Sequence, residues 1–229
     1  MTKFIIYIFL LSGILSCVST SKRSKNSQKK YRKYIEEKYE ISTSNGIRNY
    51  GEFAKKIGLK NGELVADVGA ADGYIDVMMS MVTDSVSFYI QDISSENLNF
   101  YYSDSLYNHM NISRKTPQTN KFRTLLGTER SSLLPDTTFD KIFLLNSLHE
   151  FTYVKDMMDD LYKKLKYNGK IIIQESLSEA NKMHIVNGCF TVSYTKDEIV
   201  KIMKHSKFNT NYQLYSDSTV GSVLIFNKN

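Results

Sequence analysis

The stretch Val65-Ala66-Asp67-Val68-Gly69-Ala70-Ala71-Asp72-Gly73 constrains the fold more than any other. Val65 to Val68 reads as a short buried strand, Gly69, Ala71 and Gly73 place small residues at alternate positions, and a helical run begins at Tyr74. Small residues at such a junction let the backbone turn sharply and let a ligand approach it closely. Strand–turn–helix junctions of this kind bind nucleotide-like cofactors in many α/β folds, and they also occur as purely structural glycine turns.

The chain around this junction alternates between the two periodicities. Helices are expected over Tyr31–Tyr39, Ile47–Ile57, Tyr74–Met81, from a Ser94 or Ser95 cap to Met110, over Phe151–Leu165, and over Thr195–His205 with Thr195 as N-cap. Strands are expected at Leu64–Val68, Ser85–Ile90, Phe122–Leu126, Lys141–Leu145 and Lys170–Gln174, the last carrying an Ile171-Ile172-Ile173 run suited to a strand covered on both faces. Asn168-Gly169 reads as a left-handed stop to the helix before it. Strands alternating with helices predict a mostly parallel sheet with helices on both faces. The last two strands, Thr210–Leu214 and Ser222–Phe226, are joined by so short a connection that they predict an antiparallel hairpin.

Charge separates the N-terminus from the rest. The chain of 229 residues carries a net charge of +6, but Lys3 and the run Lys22, Arg23, Lys25, Lys29, Lys30, Arg32 and Lys33 more than account for it. The segment from Tyr34 to Asn229 is mildly acidic, which argues against a nucleic-acid surface. Met1-Thr2-Lys3 followed by the apolar run Phe4–Leu15 has the layout of a secretory signal and is too short to span a bilayer. It ends in Ile14-Leu15-Ser16-Cys17, which resembles a bacterial lipoprotein signal whose Cys is lipidated. The expectation is therefore a signal over 1–17, a basic, disordered tether over 18–30, and a single folded domain over 31–229, the whole exported and anchored in the cell envelope through Cys17. With Cys17 acylated, Cys189 is the remaining thiol and no intramolecular disulfide forms.

Two details qualify the junction. Asp92 lies 19 residues beyond Gly73 at the end of the second strand, where an acid holds a ribose diol. Asp67 and Asp72, however, put carboxylates into the turn itself, which is unfavourable beside a pyrophosphate, and Tyr74 occupies the position of the third dinucleotide-fingerprint glycine. A cofactor with a ribose and a positive charge but no phosphate fits better than a dinucleotide.

On these motifs the chain resembles the class I S-adenosylmethionine-dependent methyltransferases over roughly Ile47 to Asn229. Asp67–Gly73 matches that family's first motif with Ala71 in place of its second glycine, and Ile90-Gln91-Asp92-Ile93-Ser94 resembles the second. Leu134-Pro135 with Phe139–Phe143, and Leu165-Lys166-Tyr167-Asn168-Gly169-Lys170, resemble the segments around the fourth and fifth strands. The subgroup suggested has a His-Glu pair after the fourth strand, here within Asn146-Ser147-Leu148-His149-Glu150-Phe151 and preceded by Gly127-Thr128-Glu129.

The resemblance implies a Rossmann-like, seven-stranded fold with S-adenosylmethionine as cofactor. Asp67, Gly69, Ala71 and Gly73 would lie along its amino-acid part, Asp92 and Ile93 at the ribose, and Thr128 or Glu129 at the adenine, where the family's third-motif Asp is missing. Asn146 would contact cofactor or substrate, or simply bond at the strand end. His149, with Glu150, is the candidate general base, the alternative being that the pair opens the following helix. The resemblance does not set the acceptor; the leading reading is a lipid-anchored methyltransferase acting on a small-molecule, membrane-associated or lipid-like substrate. A non-catalytic cofactor-binding lipoprotein and a nicotinamide-dependent oxidoreductase are the competing readings, the latter disfavoured by Asp72 and the closing hairpin. No metal is expected: His184 and Cys189, in a loop that could cover the site, lack further ligands at suitable spacing. Asn111-Ile112-Ser113 forms a glycosylation sequon of a kind that arises by chance.

Overall fold

The computed structural model describes residues 43–98, 119–179, 183–186, 189–217 and 221–229. The signal with Cys17, the tether, the Tyr31–Tyr39 helix and the Asn111 sequon lie outside the described residues. Among the described residues no helix is long and apolar enough to cross a membrane.

A seven-stranded sheet organises the described residues. In chain order the elements are α1 (Thr43–Lys56), β1 (Leu64–Val68), α2 (Tyr74–Ser80), β2 (Ser87–Asp92), β3 (Lys121–Leu126), β4 (Phe139–Leu145), α3 (Val154–Lys164) and β5 (Leu165–Glu175), followed by a small hairpin of β6 (Met183–Val186) and β7 (Cys189–Val192), then α4 (Lys196–His205), β8 (Gln213–Asp217) and β9 (Gly221–Asn227). The sheet order is β3-β2-β1-β4-β5-β9-β8. Strands β1 to β5 run parallel, and β9 lies antiparallel between β5 and β8, with Ile172 opposite Ile225. The expected mostly parallel sheet with a closing antiparallel hairpin is what forms.

The central strands are apolar on both faces because helices cover both. Ala66, Val68, Ile142, Leu144, Ile171 and Ile173 pack with Met157, Met158 and Leu161 of α3 and with Ile199 and Met203 of α4. Val65, Phe143, Leu145 and Ile172 face the other way, onto Phe53, Ala54 and Ile57 around α1 and Met79 of α2. Alternate strand residues point to opposite faces, so consecutive apolar residues are what two covered faces require. Helix α4 opens on a capping box: the Thr195 hydroxyl accepts from the Glu198 N–H, and Glu198 Oε2 accepts from the Thr195 N–H at 2.8 Å.

The structure shifts several boundaries. Strand β2 begins at Ser87, because Ser85 sits in the left-handed region (φ 59°), outside the extended backbone of a regular strand. The penultimate strand starts at Gln213, three residues past the expected Thr210. Helix α3 ends at Lys164, and Leu165 is already extended, so Asn168-Gly169 is not its cap. The pair instead closes a bulge inside β5: Leu165 pairs with Phe139, Lys170 with Lys141, and Asn168 takes φ 63° between them. The segment after Gln174, expected as a loop, contains the β6–β7 hairpin, with His184 opposite Thr191. Ser94 does begin a helical turn, its carbonyl accepting from Leu98 N–H at 3.1 Å, and the remainder of the expected helix to Met110 lies outside the described residues.

From β1 the chain steps outward to β2 and β3, then returns across β1 to β4 and β5. The strand order reverses between β1 and β4, and a crevice opens there beyond the carboxyl ends of the strands, where open α/β sheets bind ligands.

Candidate active site at the carboxyl edge of the sheet

The turn after β1 is held by the end of β2. The N–H groups of Gly69 and Ala70 both donate to the Gln91 carbonyl, at 2.9 and 3.0 Å. Ala71 N–H donates to Asp92 Oδ2 at 2.9 Å, and Ser94 N–H donates to Asp92 Oδ1 at 2.8 Å. Each carboxylate oxygen thus has one backbone donor and keeps lone pairs for further hydroxyl donors. Ala71 adopts φ 49° and is exposed, so alanine here preserves the turn that the usual glycine would make. Gly69 and Gly73 also have positive φ (74° and 71°), and their missing Cβ atoms admit protein neighbours: a Cβ on Gly69 would meet Ser147 Cβ at 2.7 Å, one on Gly73 the Ile90 Cδ1 at 2.6 Å. Ser147 uses that space to donate to the Val68 carbonyl at 2.8 Å.

A cavity of about 100 Å³ opens here, lined by Val68, Gly69, Gln91, Asp92, Ile93, Glu129, Ser147, Glu150, Phe151, Thr152 and Met157. Of the residues anticipated from the sequence it brings together Gly69, Asp92, Ile93, Glu129 and Glu150. The others have different surroundings. The Thr128 hydroxyl is engaged within its own loop, donating to the Ser131 carbonyl at 3.2 Å and accepting from Ser131 N–H at 3.0 Å. Asn146 takes φ 58° at the end of β4 and its N–H donates to the Gln174 carbonyl at 2.8 Å.

Beneath the turn lies a pair of acids. Asp67 on β1 and Asp76 on α2 are both buried, with their carboxyl groups in hydrogen-bond reach of each other. Asp67 Oδ1 and both Asp76 oxygens have no donor among the described residues. Two carboxylates in such contact cannot both ionise, and a shared proton supplies the missing hydrogen bond. Burial raises both, foremost by desolvation; Asp67 is raised further by its neighbours Asp76 and Asp92, and Asp76 is pushed up to about 7.

His149 is the middle residue of a single 3-10 turn, Leu148–Glu150, shortly after β4. Its Nδ1 lies 2.9 Å from Glu175 Oε2, at the end of β5, and its N–H donates to Glu175 Oε1 at 3.3 Å. The carboxylate partner assigns the proton to Nδ1 and leaves Nε2, 3.9 Å from Glu150 Oε1, as the acceptor. Burial pushes the Glu175 carboxyl above its ordinary value, against the opposing pull of His149.

Asp76, Gln91 and Glu175 are absent from the residues anticipated from the sequence. Each carries a local signal: an acid inside the apolar stretch Ile75–Met79, a polar residue inside an apolar strand, and an acid ending the strand that carries Ile171–Ile173. Among the described residues no group of three or more His, Cys, Asp or Glu is placed to hold a metal ion.

The cavity wall tests what could bind. Asp92, Glu129 and Glu150 face it, and no Lys or Arg among the described residues does. Such a wall attracts a cation and repels phosphate. With the free lone pairs of Asp92 and the apolar Ile93, 56% exposed, its lining has the chemistry to meet ribose hydroxyls, a flat apolar face and a positive charge.

No family model and no curated protein matches the chain. Among solved structures it is similar to an S-adenosylmethionine-dependent methyltransferase from Aquifex aeolicus, with 20% identity and a TM-score of 0.65 over 86% of this chain and 98% of that one. It is similar to a putative O-methyltransferase from Nostoc punctiforme, with 14% identity and a TM-score of 0.62 over 86% of this chain and 60% of that one. The 4+2 cyclase SpnF also matches, with 14% identity and a TM-score of 0.62 over 80% of each chain. The strand order, the antiparallel β9 and these matches agree: the chain has the fold of the class I S-adenosylmethionine-dependent methyltransferases.

Proposed function

We propose that the protein binds S-adenosylmethionine and transfers its methyl group to a small-molecule or membrane-associated acceptor. The observation that carries this reading is the acidic, phosphate-repelling cavity at the switch point, with Asp92 held at its rim by two backbone N–H groups. When bound, the cofactor supplies an electrophilic methyl group on a sulfonium. Asp92 would accept the two ribose hydroxyls, Ile93 would lie against the base, and Glu129 and Glu150 would favour the cationic end. Gly69, Ala71 and Gly73 shape the turn along which the amino-acid part would run, while Asp67 and Asp76 support that turn from below. His149 Nε2 would take the proton of an acceptor hydroxyl or amine, with Glu175 fixing its tautomer. The chain's main contribution is alignment for an in-line displacement.

Removing the ribose acid tests the assignment. Asp92→Ala should weaken S-adenosylhomocysteine binding by roughly ten-fold or more, since hydrogen bonds to a charged group contribute about 1.5–3 kcal/mol each. Calorimetric titration of both proteins measures it, and an unchanged affinity removes Asp92 from the site.

A second reading is a cofactor-binding protein that kept the fold without turnover. It is favoured by the His149 side chain being only 2% exposed. The proposal includes the N-terminal address: Cys17 would be lipidated, with the basic run lying along an anionic membrane surface. Metabolic lipid labelling should be lost in Cys17→Ala, and persistent labelling would refute the anchor.

A further inference from the structure

We propose that the groove between α3 and α4 binds a single-chain amphiphile with an anionic head, at a place separate from the cavity at the switch point. A cavity of about 400 Å³ lies there, lined by Val154 and Lys155 at the start of α3, by Tyr194 ahead of α4, and by Lys201, Ile202 and His205 along α4. It shares no lining residue with the acidic cavity, is larger, and falls within the roughly 300–1,000 Å³ typical of small-molecule sites. Packing makes its interior apolar. Val154, Tyr194 and Ile202 each rest against the core and are only partly buried there, and all three line the cavity. Apolar side chains from two elements around one hollow can cover a hydrocarbon chain on more than one side, which removes more of its surface from water than a flat patch would.

Charge at the mouth specifies the head group. No acid occurs between Glu198 and Asp217, while Lys201, Lys204, His205 and Lys207 fall in that stretch and are all exposed. Lys201 and His205 stand four residues apart on α4, and His205 Nδ1 donates to the Lys201 carbonyl at 2.7 Å, which holds the ring over the last turn. The other two charges at the cavity are already engaged. Lys155 Nζ lies 2.6 Å from Asp159 Oδ2, and Glu198 Oε2 accepts from the Thr195 N–H and hydroxyl at 2.8 and 2.9 Å. Lys201 forms no ion pair among the described residues. Its ammonium is therefore available to a carboxylate or phosphate head, and its methylene stem extends the apolar wall. An apolar hollow with uncompensated cations on one rim complements a hydrocarbon chain ending in an anion.

The test titrates dodecanoate, decanoate and dodecan-1-ol, each below its self-association concentration, calorimetrically into the full chain. Wild-type protein should bind dodecanoate saturably and roughly ten-fold more tightly than decanoate, the gain expected for burying two further methylenes. Ile202→Asp should weaken dodecanoate and dodecan-1-ol alike by at least ten-fold, with Val154→Gln as the second variant should Ile202→Asp fail to fold. Lys201→Glu should weaken dodecanoate by roughly ten-fold and leave dodecan-1-ol within about two-fold of wild type, since reversing the rim charge acts on the head alone. Binding of both compounds unchanged in Ile202→Asp or Val154→Gln, as adsorption to the apolar run Phe4–Leu15 would give, would overturn the site. An equal effect of Lys201→Glu on both compounds, or none on either, would overturn the anionic head. Absence of saturable dodecanoate binding by wild type would overturn the whole inference, and none of these results bears on the cofactor reading.

Discussion

Asp76→Asn should make the protein more stable at pH 8 by several kcal/mol, although it replaces a buried acid in the first turn of a helix. The folded chain holds Asp76 at about 7 against an ordinary 3.8, so between those values it keeps a proton that the unfolded chain releases. The stability this contributes is complete below about pH 3.8 and is lost as the pH rises toward 7 and beyond. At about 1.4 kcal/mol per pH unit, the swing is on the order of 4 kcal/mol. Asparagine cannot ionise, matches the shape, and donates to Asp67 the hydrogen bond the shared proton now supplies. Thermal melts from pH 4.5 to 8 should show wild type losing more stability with rising pH than the variant, in which Asp67 alone of the pair still titrates, with the variant ahead by roughly 10 °C at pH 8. The opposite trend, expected of acids held low by cations such as Asp136 beside Lys164, falls below this window. Parallel melting curves would show that Asp67 and Asp76 share no proton.

The second large effect is on turnover. His149→Ala should reduce methyl transfer by roughly 10²- to 10⁴-fold, the usual contribution of a positioned acid–base group, with S-adenosylhomocysteine affinity within two-fold of wild type. Glu175→Gln should lose turnover as well, for a more specific reason. A glutamine amide can donate to Nδ1, which moves the imidazole proton to Nε2 and removes the acceptor facing Glu150. The readout is labelled methyl transferred to a panel of hydroxyl and amine acceptors, with cofactor binding measured alongside. If both variants transfer at the wild-type rate, the buried pair only anchors the 3-10 turn to β5. If wild type transfers to none of the panel while binding the cofactor, the reading of a binding protein gains.

Much of the fold was legible because its signals are local. Apolar strands, the capping box at Thr195 and Glu198, and the closing hairpin each rest on neighbouring residues. The errors came where tertiary contacts override local chemistry. Asn168-Gly169 has the composition of a helix cap, yet β5 starts at Leu165 because Leu165 pairs with Phe139, so the left-handed residue falls in a bulge. Of the site, Gly69, Asp92 and Ile93 could be found from their place at strand ends, and the structure brings them to one cavity. Asp76, Gln91 and Glu175 could not be, since their partners lie on other elements: Asp76 meets β1, Glu175 meets the turn after β4, and Gln91 lies against Gly127 after β3. Pairings across the sheet leave no spacing in the chain.

The central claim is that the cavity takes an adenosyl cofactor with a cationic end and rejects phosphate. Parallel calorimetric titrations of the full chain with S-adenosylmethionine, S-adenosylhomocysteine and NAD test it most directly. Saturable binding of the first two is expected and none of NAD, whose pyrophosphate would meet a wall of Asp92, Glu129 and Glu150. Binding of NAD with no heat from either adenosyl compound would contradict it.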